Sequence, residues 1–370
     1  MRILLRGYYG FGNLGDDILM LSSCEICRRH FPDAEIDIMT ASSSAGYVLS
    51  LTKHQVVKVV PLGSEPPAQL IIFGGGGVFY DYQKGNMAYR LLNATIKTMG
   101  IGNWSRLLSF YRGLKGWEVN HRAWRVGLGI GVGSFTSDSK KYYQKVAEMA
   151  QFDWLLLRDT ASYESIRALK LPLNLRPSTD LAFIKEYWMP EIETPKDPLS
   201  VGFVLKNWPS HPEYLAECRL AAAQLTEKGF RVTVFLFEAV HDDALKDQFA
   251  DYTVRIWDPH QMTLKGYLYH LAQQSVVITS RAHGTILAGA FGIPAVCLGI
   301  EPKLKTIYKM FPLTGLYLDL PLSSTQILAS VDGALQYSTS DVERDFRQNR
   351  EVLIQDITEL MQAYKNYAMA

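Results

Sequence analysis

Short apolar runs alternate with stretches of helical periodicity along almost the whole chain. Runs at 3–5, 36–39, 56–60, 70–73, 125–130 and 154–157 read as strands of a first half. Those at 200–203, 231–237, 254–256, 276–279 and 295–298 read as strands of a second. Between them, apolar positions recur at helical spacing over 16–30, 140–151, 162–169, 213–228, 264–272 and 285–291. Continuous apolar strands separated by amphipathic helices predict α/β architecture with parallel sheets. The expected fold is two Rossmann-like, doubly wound parallel-sheet domains.

The break between the halves falls at Met189-Pro190-Glu191-Ile192-Glu193-Thr194-Pro195-Lys196-Asp197-Pro198, rich in proline and charge and without periodicity. We therefore expect a first domain over 1–190, a second over 199–322, and C-terminal helices over 323–370 that pack back on the first domain. The last helix is expected over 341–367, with Phe346, Val352, Leu353, Ile357, Leu360, Met361 and Tyr364 at helical spacing. Two domains also suit a length of 370 residues, more than one core usually serves.

Charge changes the picture by what it excludes. Lys and Arg number 38 and Asp and Glu 37, a formal net charge of +1. No basic excess marks a nucleic-acid partner, so any anion site has to be local. Cys24 and Cys27 form a C-x-x-C with no second pair at zinc-finger spacing, inside an amphipathic helix pattern. Buried free thiols are the preferred reading, and they fit a reducing cytoplasm. The opening run is too short for a signal sequence, and no stretch of about 18 apolar residues occurs to span a membrane.

The candidate chemistry lies at strand ends. In an open parallel sheet, ligands bind beyond the carboxyl ends of the strands, beside helix N-termini. The run 276–279 leads straight into Ser280-Arg281-Ala282-His283-Gly284. A guanidinium and an imidazole two residues apart there point to a pocket for a small anion that needs a proton donor. The alternative is an Arg paired with a surface acid and a His satisfied in the core. A second strand delivers Arg158-Asp159, with Ser162 following.

Glycine-rich stretches are the other signal. Gly7-Tyr8-Tyr9-Gly10-Phe11-Gly12-Asn13-Leu14-Gly15-Asp16-Asp17 follows the first strand. It contains G-x-G-x-x-G, but two acids open the helix and no acid ends the second strand to hold a ribose, which disfavours a nicotinamide site. Asp16 either faces an acceptor hydroxyl or caps the helix. Gly74-Gly75-Gly76-Gly77 reads as a strand-to-helix connection open to an anion or a sugar, or as a flexible crossover. Alternate glycines from Gly127 to Gly133 thin one strand face where something packs closely. Glu301 and Lys305, past the last apolar strand, can grip a sugar hydroxyl and an anion, or form a solvated charge cluster. The stretch 101–114 carries Trp104, Leu107, Leu108, Tyr111 and Leu114 on one helical side, near Arg106, Arg112 and Lys115. Packing on its own domain is preferred to peripheral contact with an anionic membrane.

Taken in order, Gly10-Phe11-Gly12-Asn13-Leu14-Gly15-Asp16, Gly74–Gly77, Gly129-Ile130-Gly131, Arg158-Asp159 with Ser162, Asp180-Leu181-Ala182-Phe183, and Ser280-Arg281-Ala282-His283-Gly284 with Gly292-Ile293-Pro294 resemble the polysaccharide pyruvyl transferases. The resemblance covers most of residues 1–310. It implies two lobes facing a cleft in a GT-B-like arrangement. It implies phosphoenolpyruvate as co-substrate, with no further cofactor and no metal. The acceptor is a hydroxyl pair of a saccharide, free or lipid-linked, in a cell-surface or exopolysaccharide repeat. The product is a cyclic pyruvate ketal, made in the cytoplasm or at the inner face of the plasma membrane. Arg158 and Arg281 then look like donor-binding arginines, joined by Ser280, Gly284 and Lys305. His283 looks like the general acid, with Asp16 accepting a hydroxyl proton. Asn13, Gly75, Gly76 and Asp81 fall on the acceptor side. The insert 86–125 has no counterpart in the family pattern. The alternative on the same plan is a nucleotide-sugar glycosyltransferase, with Arg281 and Lys305 on a diphosphate and Glu301 on a ribose. A non-catalytic sugar-binding protein is the third class.

Overall fold

Two separate parallel sheets form in the computed structural model, which describes residues 1–52, 57–64, 66–81, 91, 94–95, 98–99, 103, 123–135, 142–189, 192 and 196–369. The first has seven strands: β1 (Arg2–Arg6), β2 (Glu35–Thr40), β3 (Val57–Pro61), β4 (Leu70–Asp81), β5 (Trp124–Phe135), β6 (Trp154–Leu157) and β7 (Asn174–Pro177). Their order is β3-β2-β1-β4-β5-β6-β7. The second has six: β8 (Ser200–Leu205), β9 (Arg231–Leu236), β10 (Thr253–Ile256), β11 (Val276–Thr279), β12 (Ala295–Leu298) and β13 (Leu316–Leu318), in the order β10-β9-β8-β11-β12-β13. Every pairing within both sheets is parallel.

The longer helices are α1 (Leu14–His30), α2 (Ala45–Leu51), α3 (Tyr142–Met149), α4 (Thr160–Arg167), α6 (Glu213–Glu227), α9 (Leu264–Ala272), α10 (Ala282–Ala290), α12 (Ser324–Ala334) and α13 (Thr339–Met369). Single turns α5 (Lys185–Trp188), α7 (Ala239–Asp242), α8 (Ala244–Gln248) and α11 (Leu304–Ile307) complete the set among the described residues. Central strands are buried on both faces: β8, β11 and β12 are buried throughout. That is why they read as unbroken apolar runs rather than as alternation.

Two strands escaped the sequence reading. β7 and β13 are short edge strands with partly exposed residues; β7 mixes polar and apolar positions and β13 is only three residues long, so neither stands out as an apolar run. A larger departure concerns Gly74–Gly77. These glycines continue strand β4 instead of leading into a helix, and they pair with β5 across an irregular register. A Cβ on Gly74 would lie 2.0 Å from Ser23 Oγ and 2.1 Å from Tyr9 Oη. Tyr9 Oη donates to the Gly74 carbonyl at 2.8 Å. Bare backbone thus lets helix α1 and the first loop sit directly on the sheet.

Packing divides the chain differently from the linker. One compact unit comprises Met1–Phe11, Leu19–Leu181 and Val352–Ala370, and the other comprises Gly12–Ile18 and Ala182–Glu351. The second half of α13 therefore belongs with the first sheet. There Arg176 Nη1 binds Asp356 at 3.1 Å, and Leu353, Ile357, Leu360 and Met361 are buried. The opening turn of α1 belongs with the second sheet, as does the stretch Ala182–Glu351. Cys24 and Cys27 are free and fully buried in α1, and burial pushes the Cys24 thiol up to about 12. Among the described residues no helix is long and apolar enough to cross a membrane. All of the stretch 101–114 but residue 103, most of the insert 86–125 and part of the inter-sheet linker lie outside the described residues.

Candidate active site

In the second sheet the strand order reverses between β8 and β11, the place where an open α/β sheet leaves a crevice beyond its strands. The expected motif sits there. Thr279 ends β11, and its hydroxyl accepts from the Arg281 amide at 3.0 Å and donates to the Arg281 carbonyl at 2.9 Å. Arg281 occupies the N-cap of α10, which starts at Ala282, three residues earlier than the sequence predicts. His283 therefore lies in the first helical turn rather than in a preceding loop. Ser280 Oγ is fully buried and accepts from the Lys206 amide at 2.9 Å, tying the end of β8 to the end of β11. Gly284 is a packing requirement: a Cβ there would lie 2.1 Å from Thr279 Oγ1.

Arg281 is only 8 % exposed and is held by carboxylates. Nη2 donates to Asp242 Oδ2 at 2.5 Å and lies 3.5 Å from Glu238 Oε2, while Nε donates to the Leu205 carbonyl at 3.3 Å. A buried guanidinium needs such partners, because an unpaired buried charge is costly. Asp242 and Glu238 carry no motif in the sequence. They lie at and just before α7, after β9, and only the fold brings them to Arg281.

Glu238 also receives the first glycine-rich loop. Asn13 Nδ2 donates to Glu238 Oε2 at 3.2 Å, the Leu14 amide donates to the Phe237 carbonyl at 2.9 Å, and His241 Nδ1 stands 2.8 Å from Glu238 Oε1. Asn13 Oδ1 accepts from the Gly15 amide at 3.0 Å and the Asp16 amide at 3.5 Å. Asn13, not Asp16, thus caps α1. Asp16 is in the helix's first turn and half-buried. Asp17, absent from the expected site, is 1 % exposed and accepts from Trp257 Nε1 at 2.7 Å. The imidazole of His283 lies on the backbone of Gly15: a Cβ there would stand 1.9 Å from His283 Nδ1. Glycine at position 15 is what makes room for the imidazole.

A third group forms around Glu301. Lys206 Nζ, carried just past the end of β8, donates to Glu301 Oε1 at 2.5 Å, and Lys303 Nζ lies 2.8 Å from Oε2. Lys206 also lies over the Trp208 ring, 4.0 Å from its centroid. Burial pushes Lys206 down from the usual lysine range. Burial pushes Glu301 up, but the two lysines outweigh it and hold its carboxyl below the ordinary value. With both oxygens engaged, Glu301 does not present a free carboxylate to a ribose. Lys305 lies apart from this group. Its side chain is 56 % exposed, 3.8 Å from Asp319 and over the Tyr317 ring.

The first unit holds its own arginine cluster. Arg158 follows β6, is 5 % exposed, and lies 3.5 Å from both Asp159 and Asp180. Asp159 Oδ1 caps α4 by accepting from the Ser162 amide at 2.7 Å. The close packing expected along the Gly127–Gly133 face is partly the guanidinium itself: a Cβ on Gly131 would stand 2.6 Å from Arg158 Cζ. Gly75 and Gly76 have φ of 72° and 80° within β4, and a Cβ on Gly75 would meet Leu19 at 3.0 Å. The side chain of Asp81 lies outside the described residues.

A family model described as polysaccharide pyruvyl transferase matches residues 13–302. Among curated proteins none matches the chain. Several solved structures are similar in fold. UDP-GlcNAc 2-epimerase from Neisseria meningitidis bound to UDP-GlcNAc aligns with TM-score 0.58 at 10% identity, covering 97% of this chain and 100% of that one. UDP-N-acetylglucosamine 2-epimerase from Rickettsia bellii aligns with TM-score 0.57 at 9% identity, covering 99% and 97%. Medicago truncatula UGT71G1 complexed with UDP-glucose aligns with TM-score 0.53 at 11% identity, covering 98% of each. At such identities the likeness is one of fold.

Proposed function

The chain belongs to the polysaccharide pyruvyl transferase family, and on that premise we propose that it moves the pyruvyl group of phosphoenolpyruvate onto a hydroxyl pair of a saccharide, forming a cyclic ketal and releasing phosphate. One observation carries the assignment of His283. Its imidazole rests on Gly15 in the first turn of α10, two residues from Arg281, at the switch point of a parallel sheet.

The chemistry follows from the substrate. His283 protonates the methylene carbon of the enol phosphate and leaves cationic character at C2; an imidazole suits this because its ordinary pKa lies near neutrality. One acceptor hydroxyl bonds to C2, and the bond from C2 to the phosphate oxygen breaks. The second hydroxyl then closes the ring. Of the two hydroxyl protons, one replaces that spent on the methyl group and the other leaves with phosphate. Asp16, in the first turn of α1, takes a hydroxyl proton in this scheme. Arg281 meets the donor carboxylate through Nη1, the guanidinium nitrogen that Asp242, Glu238 and Leu205 leave over. Asn13 acts by holding the loop beneath His283, and Gly75 and Gly76 by letting that loop's helix approach the sheet. No metal or further cofactor has a role in these steps. The acceptor in this reading is a saccharide of a cell-surface or exopolysaccharide repeat, free or lipid-linked.

The test has two arms. Phosphoenolpyruvate should raise the melting temperature of the protein and nucleoside diphosphates should not. Incubation with phosphoenolpyruvate and a panel of lipid-linked or model glycosides should yield phosphate and a pyruvyl adduct by mass spectrometry. Stabilisation by a nucleoside diphosphate alone, with a glycosylated product, replaces this reading by a nucleotide-sugar transferase.

A further inference from the structure

The sign of the charge at the two cation centres of the second unit differs. Arg281 is matched by two carboxylates, Asp242 and Glu238, so that group carries one negative charge in excess. Lys206 and Lys303 share one carboxylate, one ammonium on each oxygen of Glu301, so that group carries one positive charge in excess. Exposure runs the same way. Arg281 is 8 % exposed, whereas the side chains of Lys206 and Lys303 are 19 % and 43 % exposed. A dianionic phosphate gains most where charge is uncompensated, partly desolvated and reachable.

We infer that Lys206 and Lys303, bridged by Glu301, form the phosphate-holding subsite of the second unit, and that Glu301 is a resident carboxylate that competes with the phosphate for the two ammonium groups. The assignment rests on the donor reading above for which phosphate is bound; the subsite itself does not. Lys206 is placed for it by the sheet. Its amide donates to Ser280 Oγ, one residue before the cap of α10, so the lysine belongs to the same strand-end crevice as Arg281 and His283. The Trp208 ring beneath the ammonium limits where Nζ can go. Lysine suits this task, since a compact point charge grips a phosphate without needing the planar fork that a carboxylate favours. Lys305, the basic residue that the sequence brought forward, is paired with Asp319 instead.

The experiment titrates the full-length protein with inorganic phosphate and with phosphoenolpyruvate by calorimetry. Lys206→Met should weaken phosphate binding about 10-fold to 100-fold, the loss of a charge-assisted contact. Lys206→Arg should restore part of it. Glu301→Gln should bind phosphate more tightly than the unaltered protein, a result that a merely structural role for Glu301 does not produce. The inference is overturned if Lys206→Met titrates like the unaltered protein, if Glu301→Gln weakens binding, or if the unaltered protein binds neither anion. Phosphate binding that depends on Lys206, without turnover of phosphoenolpyruvate, supports the subsite and removes the pyruvyl transfer reading. Turnover with phosphate inhibition unchanged in Lys206→Met does the reverse.

Discussion

Arg158 and Arg281 are both buried at strand ends, both flanked by two carboxylates, and both announced by the sequence, yet they sit in different company. Around Arg158 the partners are loose, 3.5 Å each, and the guanidinium lies flat against Gly131. Around Arg281 the grip is tight, 2.5 Å to Asp242, and the cluster extends through Glu238 to Asn13 and its capped helix. Only the second has an imidazole in the adjoining turn, seated on a glycine that the first loop supplies. A buried arginine at a strand end can therefore be part of quite different clusters. What separates the two is that the fold brings an imidazole and a second chain segment to Arg281.

The largest expected effect tests that distinction at the imidazole. His283→Ala should lower kcat about 10²-fold to 10⁴-fold while phosphoenolpyruvate still raises the melting temperature. Wild-type turnover would remove the general-acid role. Gly15→Ala should also cost about 10²-fold in kcat by pushing the ring aside, read in the same assay. Next comes the tight ion pair: Asp242→Ala should destabilise by about 3–5 kcal/mol in urea unfolding, since it strips a close partner from a buried charge. Asp180→Ala should cost less, and equal losses would erase the difference drawn between the clusters. Trp257→Phe should cost about 1–3 kcal/mol by taking a donor from buried Asp17. Asp159→Ala should cost about 1 kcal/mol as a lost helix cap, measured the same way. Lys305→Ala should change stability by less than about 0.5 kcal/mol.

The sequence made much of this legible where a single physical rule acts locally. Apolar runs marked the buried strands because parallel sheets bury both faces, and the strand-end rule found Arg158, Arg281 and His283. It failed where the cause is tertiary. Edge strands β7 and β13 are short and only partly buried, and the three apolar residues of β13 are too few to read as a run. The glycines of β4 look like a loop because their purpose, contact with Tyr9, Ser23 and Leu19, lies in a distant helix. Asp242 and Glu238 follow β9 with no pattern of their own. Lys206 was within reach, for it stands directly after the buried strand β8, just as Arg158 stands directly after β6.

That residues 12–18 pack with the second sheet has a practical consequence for anyone dividing this protein. A fragment begun at the proline-rich joint would retain the imidazole of His283 but lack Gly15, the surface it lies on. It would also lack Asn13 against Glu238 and Asp17 against Trp257. Expressed alone, the C-terminal half should be inactive and less stable. A short peptide spanning the missing heptad, supplied in trans, is the natural complement to try.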